Sequence, residues 1–343
     1  MAISAGRDPH PWMSGIVGWF GYEAGALFEQ MPEPAGPRLL PDSWWGQVEA
    51  AAAFDRTGQV LATRNVDPSL LTGLPEPLPP RAPFVLEEPD SAPFLEGVRA
   101  VTEHLRRGDC YQVNLSRRLV ARGRFDPLAT WLRLREANPC RRGLLLDTGE
   151  GAVISNSPEL LLRARGRTVL SVPIKGTAPL STDRSSLLRS AKERAELTMI
   201  VDLVRSDLGR VAAPGSVQAG RRRVGRVGHV WHAMQRVRAQ LAPDADVVDA
   251  FGALFPPGSV TGAPKVRAME VIRALEPVPR GVYCGSLGWF GPGGVDANVA
   301  IRTISILGGE AHIQTGAGLV LGSDPERELA ECRLKAERML EAL

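Results

Sequence analysis

Cysteine is scarce in this chain and scattered: Cys110, Cys140, Cys284 and Cys332 lie far apart and form no C-x-x-C pair. That spacing suggests neither a disulfide framework nor a zinc site, and a reducing, cytoplasmic setting is expected. An excess of charge of one sign is also lacking. The 41 basic and 38 acidic residues leave a formal net charge of +3, too balanced for a nucleic-acid or membrane surface. The one basic cluster, Arg221-Arg222-Arg223 with Arg226, has no interleaved aromatics of the kind that stack on single-stranded bases, and reads as a solvated turn. Long apolar runs are missing as well. The first ten residues contain no apolar h-region, and no later stretch reaches the roughly eighteen uninterrupted apolar residues of a membrane helix, so neither export nor a membrane span is expected.

What is present is enough hydrophobic sequence, 44% of 343 residues, to bury a large core in one big α+β domain or two smaller ones. Residues 14–64 alternate short β-like runs (15–20, 48–53, 59–62) with Pro and Gly turns, which predicts antiparallel sheet. Residues 67–93 then hold Pro68, Pro75, Pro77, Pro79, Pro80, Pro83, Pro89 and Pro93, a composition that sustains neither helix nor central strand and reads as a surface linker. The expected organisation is a β-rich segment over 1–66, the linker, and a larger catalytic unit over 94–343. Phe94, Val98, Val101 and Leu105 recur at helical spacing up to Gly108, and a strand follows over 110–120. Further helices are predicted at 126–137, 183–207, 246–254, 264–275 and 325–342, and strands at 143–147, 151–155, 159–164, 167–174, 284–290, 298–307 and 311–315. Strands and helices without strict βαβ alternation argue for an α+β fold.

Lys175, in Ser171-Val-Pro-Ile-Lys-Gly-Thr177, stands between apolar residues and what reads as a glycine-led turn. If buried, its ammonium loses protons more readily and becomes a nucleophile; if it reaches solvent it is a surface charge. Two carboxylate pairs, Glu193 with Glu196 and Glu328 with Glu331, have i, i+3 spacing on predicted helices, so each pair shares one face. Brought together, four carboxylates would call for a hard cation such as Mg²⁺. Left apart, they are solvated faces paired with Arg194, Arg327 and Lys335. Gly258-Ser-Val-Thr-Gly-Ala-Pro-Lys265 departs from a Walker A loop because Ala263-Pro264 intervene before Lys265. It offers instead a turn with open amides, the Thr261 hydroxyl, and Pro264 suited to the first helical position. Thr315-Gly-Ala-Gly318 reads as a small-residue turn after a strand, where amides approach a ligand. Arg302, within the predicted strand 298–307, needs a carboxylate partner from the protein or from a substrate. His232, in Val230-Trp-His-Ala-Met-Gln235, reads on its own as a core histidine.

In this order, Gly15-Ile-Val-Gly-Trp-Phe-Gly-Tyr22, Cys110-Tyr-Gln-Val-Asn-Leu115, Ser155-Asn-Ser-Pro-Glu-Leu160, Pro173-Ile-Lys-Gly-Thr177, the run 195–211, Gly258–Lys265 and Gly316-Ala-Gly318 resemble the chorismate-utilising enzymes. The resemblance implies stacked antiparallel β-sheets flanked by helices, with chorismate as substrate and Mg²⁺ as cofactor. By the same resemblance Glu196 and Glu331 are the principal metal carboxylates, with Glu193 and Glu328 nearby. Arg302, Tyr283 and the amides of Gly316, Ala317 and Gly318 hold the enolpyruvyl carboxylate; Thr261 and Lys265 line the same pocket; His232 and Glu159 serve the leaving hydroxyl.

Two positions discriminate within the family. Gln112 stands where the water-using isochorismate and salicylate synthases carry a lysine base, so ammonia is preferred over water as nucleophile. Lys175 stands where anthranilate synthases carry alanine and aminodeoxychorismate synthases carry lysine. The implied activity is therefore amination of chorismate at C4. No cysteine sits in a Gly-x-Cys-x-Gly elbow, so a glutamine amidotransferase partner is expected to supply the ammonia. The alternatives are an anthranilate synthase component and a non-catalytic chorismate-binding or glutaminase-docking subunit. Relatives begin well upstream of the Gly15 motif with strands that build much of a tryptophan pocket. The β-rich segment is thus expected to be N-terminally shortened, without tryptophan binding and with a sheet edge that must pair or be covered.

Overall fold

The computed structural model describes residues 13–33, 36–54, 58–67, 71 and 77–343. The N-terminal leader reading, and positions 68–70 and 72–76 of the proline-rich stretch, lie outside the described residues. Two large sheets dominate, and all their pairings are antiparallel. The eight-stranded sheet runs Gln218–Ala219, Val237–Gln240, Thr168–Val172, Leu160–Arg165, Gly294–Asn298, Ser286–Gly291, Ile16–Phe20, Ser43–Gln47. The seven-stranded sheet runs Gly262–Ala263, Gln112–Gly123, Glu310–Leu319, Thr303–Leu307, Gly151–Ser157, Arg142–Asp147, with Phe84–Glu87 added against Gln112–Gly123. A three-stranded sheet (Ile174–Pro179, Val230–Met234, Arg223–Val227) and the hairpin Ala51–Phe54 with Val60–Arg64 complete the β structure.

Alternation of side chains along each strand gives every sheet two faces, and both faces of the large sheets are used. Trp19 and Leu287 from one sheet meet Leu146 and Val153 from the other in a buried cluster between the sheets. On the outer side of the seven-stranded sheet, helix Ala92–Arg106 buries Phe94, Val98, Val101 and Leu105, the positions whose helical spacing predicted it. Helices Lys265–Leu275 and Pro325–Ala342 join that layer through Ala268, Ile272, Leu329 and Cys332. Leu197, Val201 and Leu208 of helix Ala191–Gly209 and Phe251 of helix Val247–Leu254 pack with the eight-stranded sheet.

Several expected elements are divided. The predicted strand 167–174 is two strands in different sheets, parted at Pro173, which has no N–H to carry a ladder onward. The predicted helix 183–207 is two helices, because Ser190 turns extended and its hydroxyl accepts from Glu193 N–H, starting a new helix. The predicted strand 298–307 is also split between the two large sheets, and Arg302 sits in the connection at φ +52° rather than inside a strand. The predicted strand 48–53 straddles a break between Ser43–Gln47 and Ala51–Phe54. Strands Ile16–Phe20 and Ser43–Gln47 share a sheet with residues 160–298, and Ser43–Gln47 is that sheet's edge among the described residues. Phe84–Glu87 lies within the proline-rich stretch, between Pro83 and Pro89, on the seven-stranded sheet.

One buried ion pair ties these pieces together. Arg280, 3% exposed, donates from Nε and Nη2 to the Glu276 carboxylate at 2.8 and 2.7 Å, from Nη1 to Val260 O at 2.8 Å and from Nη2 to Asn114 O at 2.6 Å. Glu276 also accepts from Ser116 N–H and Oγ, both at 2.8 Å, while Arg280 N–H and Gly281 N–H donate to Glu23. Removing one partner strands the other charge in the interior. Glu276→Ala is therefore expected to lose about 3–5 kcal/mol of unfolding free energy, read from urea denaturation. The double change Glu276→Ala with Arg280→Met is expected to recover a large part of that loss. A single-variant loss under about 1 kcal/mol, the range of an exposed pair, would contradict this account.

Candidate active site

The chain passes between sheets at three places, and each carries a residue singled out from the sequence. Gly151–Ser157 belongs to the seven-stranded sheet and Leu160–Arg165 to the eight-stranded one, with Glu159 at the crossing. Gly294–Asn298 and Thr303–Leu307 make the reverse crossing, which holds Arg302. The two crossings lie side by side, since Val299 N–H donates to Glu159 O at 3.2 Å and Asn156 N–H to Arg302 O at 3.0 Å. After Pro173 the chain leaves the eight-stranded sheet for the three-stranded one, and Lys175 follows at once. The expected turn after Lys175 is a bulge: Lys175 pairs with Ala233 and Thr177 with His232, with Gly176 between them at φ +82°. A Cβ on Gly176 would overlap the Glu193 carboxylate.

Lys175 reaches across to the strand Glu310–Leu319. Its Nζ lies 2.9 Å from the point a Cβ on Gly318 would occupy, and Gln112 Nε2 lies 3.3 Å from the same point. At Gly316 the corresponding neighbours are Tyr283 OH at 2.9 Å and Asn114 Nδ2 at 3.0 Å. Two glycines thus leave room between four polar heads. Gln112 is fully buried with neither amide atom hydrogen-bonded, and Asn114 Nδ2 and Thr315 Oγ1 are likewise buried without partners. Such groups call for a polar ligand or ordered water. Residues 315–318 lie within the strand and pair with 114–117, not in the turn expected from their composition. Ile313 is the last of them paired with Thr303–Leu307, so that edge is open beyond it.

Burial sets the electrostatics. It pushes the Glu159 carboxyl up to about 7; the Ser259 hydroxyl, the Lys175 ammonium and the Ile174 N–H favour the charged form but only partly offset it. It holds the Lys175 ammonium below the usual lysine range, although Glu196, Glu159 and Glu331 pull the other way. His232, 3% exposed, is lowered to about 4 by burial and then by the Arg302 guanidinium, against the Gly176 carbonyl. Arg302 Nη2 donates to His232 Nε2 at 3.4 Å, which leaves the proton on Nδ1, facing Thr177 Oγ1 at 3.0 Å and Gly176 O at 3.3 Å. Arg302 also meets the Cys140 thiol. Among the described residues no carboxylate pairs with Arg302, and its burial lowers its pKa.

The glutamates of the two helix faces do approach one another. Glu196 is raised by burial, opposed by Lys175, and pushed further by Glu193 and then by Glu331. Glu328 is raised by burial and by Glu331, against the Ser323 hydroxyl. Burial pushes Glu331 up too, but Lys335, whose Nζ is 2.6 Å from Glu331 Oε1, outweighs it and holds the carboxyl low. The donors are all oxygens, which suits a hard cation. Among the described residues, however, no three His, Cys, Asp or Glu side chains converge closely enough to hold a metal ion between them.

Two expected pocket residues are engaged elsewhere. Lys265 pairs with Asp207 Oδ2 at 2.9 Å and donates to Ala253 O at 3.2 Å, both charges buried. Thr261 donates to Pro257 O at 3.0 Å within a buried helical turn, Gly258–Thr261, and Gly262–Ala263 pairs with Gln112 and Val113. That segment is therefore covered rather than an open loop, and Pro264 precedes the helix Lys265–Leu275 instead of starting it. Residues not singled out beforehand are Asn114, Cys140, Thr177, Ser259 and Lys335 in its bonded role. Asn114 could have been found, since it stands two residues from Gln112 and so on the same strand face. The cavities beside Arg280, one lined by Tyr22, Met31 and Met269 and the other by Arg118, Thr303 and His312, contain none of Lys175, Glu159 or the four glutamates.

A model of the chorismate binding enzyme family matches residues 2–341. Anthranilate synthase component 1 of Streptomyces coelicolor is 39% identical over 374 aligned residues, covering 97% of this chain and 73% of that protein. Aminodeoxychorismate synthase component 1 of Salmonella typhimurium is 36% identical over 355, covering 98% and 78%. Among solved structures, anthranilate synthase component I from Streptococcus pneumoniae is similar at a TM-score of 0.85 and 30% identity, over 98% of this chain and 82% of that one.

The His232 arrangement makes its own forecast. Imidazole ¹⁵N spectra are expected to show the neutral, Nδ1-protonated ring throughout about pH 5.5–8, with titration near 4. Arg302→Met is expected to move the midpoint upward, because a like charge is gone. A midpoint near the ordinary histidine value in the unmodified chain would contradict the geometry.

Proposed function

The chain belongs to the chorismate binding enzyme family and is a chorismate-utilising enzyme, and we propose that within this family it replaces the C4 hydroxyl of chorismate with ammonia to give 4-amino-4-deoxychorismate. The observation that carries this reading is the pairing of Lys175 with Glu159, an amine and a carboxyl that burial drives in opposite directions toward neutrality. A neutral Lys175 amine is a nucleophile, and a protonated Glu159 is an acid.

Lys175 Nζ forms a bond to C2 while the C4–O bond breaks, and Glu159 gives its proton to the departing hydroxyl, which leaves as water. Ammonia then bonds to C4 and the C2–N bond breaks, returning Lys175 as an amine with the enolpyruvyl group in place. Arg302, having no protein carboxylate, is available to the enolpyruvyl carboxylate, together with Tyr283 and the backbone at residues 316–318. The neutral His232 holds Arg302 from behind. Gln112 has no charge with which to activate water, and its unpaired amide is available to the substrate. Glu196 and Glu331, with Glu193 and Glu328 beside them, would hold Mg²⁺, which when bound supplies charge to neutralise the ring carboxylate. The relatives' names designate a component 1, and in this reading a glutamine amidotransferase is the partner that supplies ammonia.

A second reading is anthranilate synthesis, favoured by the 39% identity to the Streptomyces coelicolor protein. Product analysis separates the two. Incubation with chorismate, Mg²⁺ and ammonium is expected to give a product that becomes p-aminobenzoate only when a lyase acting on aminodeoxychorismate is added. Lys175→Ala is expected to abolish it. Fluorescent anthranilate formed without the lyase would establish the second reading instead.

The acid role of Glu159 has a definite sign. Its raised pKa keeps it protonated, and competent, below about 7. The rate constant for hydroxyl loss is therefore expected to fall as pH rises through about 7, and Glu159→Gln is expected to remove that limb along with most of the activity. An alkaline limb unchanged in the residual activity of Glu159→Gln would assign it to another group.

A further inference from the structure

Glu331 and Lys335 at i, i+4 are an ordinary helix-surface pair by spacing. In the folded chain the lysine does more than that: its Nζ is 2.6 Å from Glu331 Oε1 and also donates to Gly316 O at 2.8 Å. One ammonium thus bridges a carboxylate of helix Pro325–Ala342 to the backbone of the glycine strand beside Tyr283 and Asn114. The facing carboxylate, Glu196, has its own lysine four residues away, but Lys192 Nζ stands at 3.9 Å and is largely exposed. The two sides are therefore unequal, and Lys335 alone makes a close bond to a carboxylate of the cluster.

We propose that Lys335 is a tethered cation that holds the Glu331 carboxylate until a divalent metal displaces it, so that metal binding is conditional on an anion that accepts the released ammonium. The proposal rests on the reading of Glu331 as a metal ligand. An ammonium and a metal ion cannot share the same carboxylate lone pairs at bonding distance, and breaking a charge-assisted hydrogen bond opposes metal entry. A dicarboxylate substrate offers the displaced ammonium a new partner. Substrate and metal then favour each other's binding, and that coupling is reciprocal. The arrangement also accounts for oxygen donors that face one another without converging on a metal position: one of them is already neutralised.

The test uses the full chain, stripped of divalent metal and titrated with Mn²⁺ alone, with free Mn²⁺ followed by electron paramagnetic resonance. Lys335→Met is expected to bind Mn²⁺ about fivefold or more tightly than the unmodified chain in the absence of chorismate. Lys335→Arg, which keeps a cation on the helix, is expected to stay near the unmodified chain. Lys335→Gln serves as a second neutral variant should the methionine variant fail to fold. Equal Mn²⁺ affinity in the unmodified chain and the neutral variants would overturn the tether while leaving Glu331 as a ligand. Undiminished Mn²⁺ binding in Glu331→Gln would remove the metal reading itself, and the tether with it.

Discussion

The bidentate pair between Arg280 and Glu276 is the interaction on which the rest of the arrangement depends. It is made inside the protein, where separating the two charges is most expensive, and every remaining polar atom of the pair is used. Through it the turn at Tyr22 and Glu23, the strand at Asn114 and Ser116, the buried turn at Val260 and the end of helix Lys265–Leu275 share one hub. The guanidinium also lies 4.7 Å from the Tyr22 ring centroid, adding a cation–π contact. Tyr283 is only three residues beyond Arg280, so the position of its hydroxyl beside Gly316 is inherited from the same anchor. A neutral hub of equal volume could be as stable, but it would not join four backbone segments by directed bonds.

From that anchor the site is assembled where strands change sheets. Side chains at a crossing belong to neither sheet's regular alternation, and so project between layers, where water is scarce. This explains why Glu159, Lys175 and Arg302 all have pKa values moved toward neutrality with burial as the largest cause. Crossings also leave backbone and side-chain groups short of partners. The unpaired amides of Gln112 and Asn114, and the space at Gly316 and Gly318, are the matching vacancies on the strands opposite.

The electrostatic character of the site follows from three cations and a larger number of carboxylates in a partly dry volume. Lys175 is held between Glu159 and Glu196, and burial still outweighs their attraction. On the other side, Arg302 and His232 form a pair in which the guanidinium donates and the ring stays neutral, so the positive charge there is Arg302's alone. A dianionic substrate would find a free guanidinium at one end and a lysine-tempered carboxylate cluster at the other. That polarity, more than any single contact, orients a molecule with two carboxylates.

Much of this was legible in the residue order. Helical periodicity located Ala92–Arg106, Pro127–Ala137 and Pro325–Ala342, because a buried stripe at 3.6-residue spacing leaves its mark in the sequence. The motifs around Lys175, Glu159, Gln112, Arg302 and the 316–318 glycines marked residues that the fold does bring together. What composition could not decide was every feature that depends on a partner distant in the chain. The breaks at Pro173, Ser190 and Val299–Arg302 look continuous in local pattern, since each half is a good strand or helix and only the choice of sheet or a cap separates them. Lys265 reads as a pocket residue until Asp207, 58 positions earlier in the chain, takes its charge. Lys335 reads as a surface lysine until Gly316 comes within reach. Element type and the chemical cast of the site were determined by local sequence, through periodicity and side-chain chemistry. Which charges face which was decided by tertiary structure alone, because Coulombic and hydrogen-bond energies depend on distance through space and not along the chain.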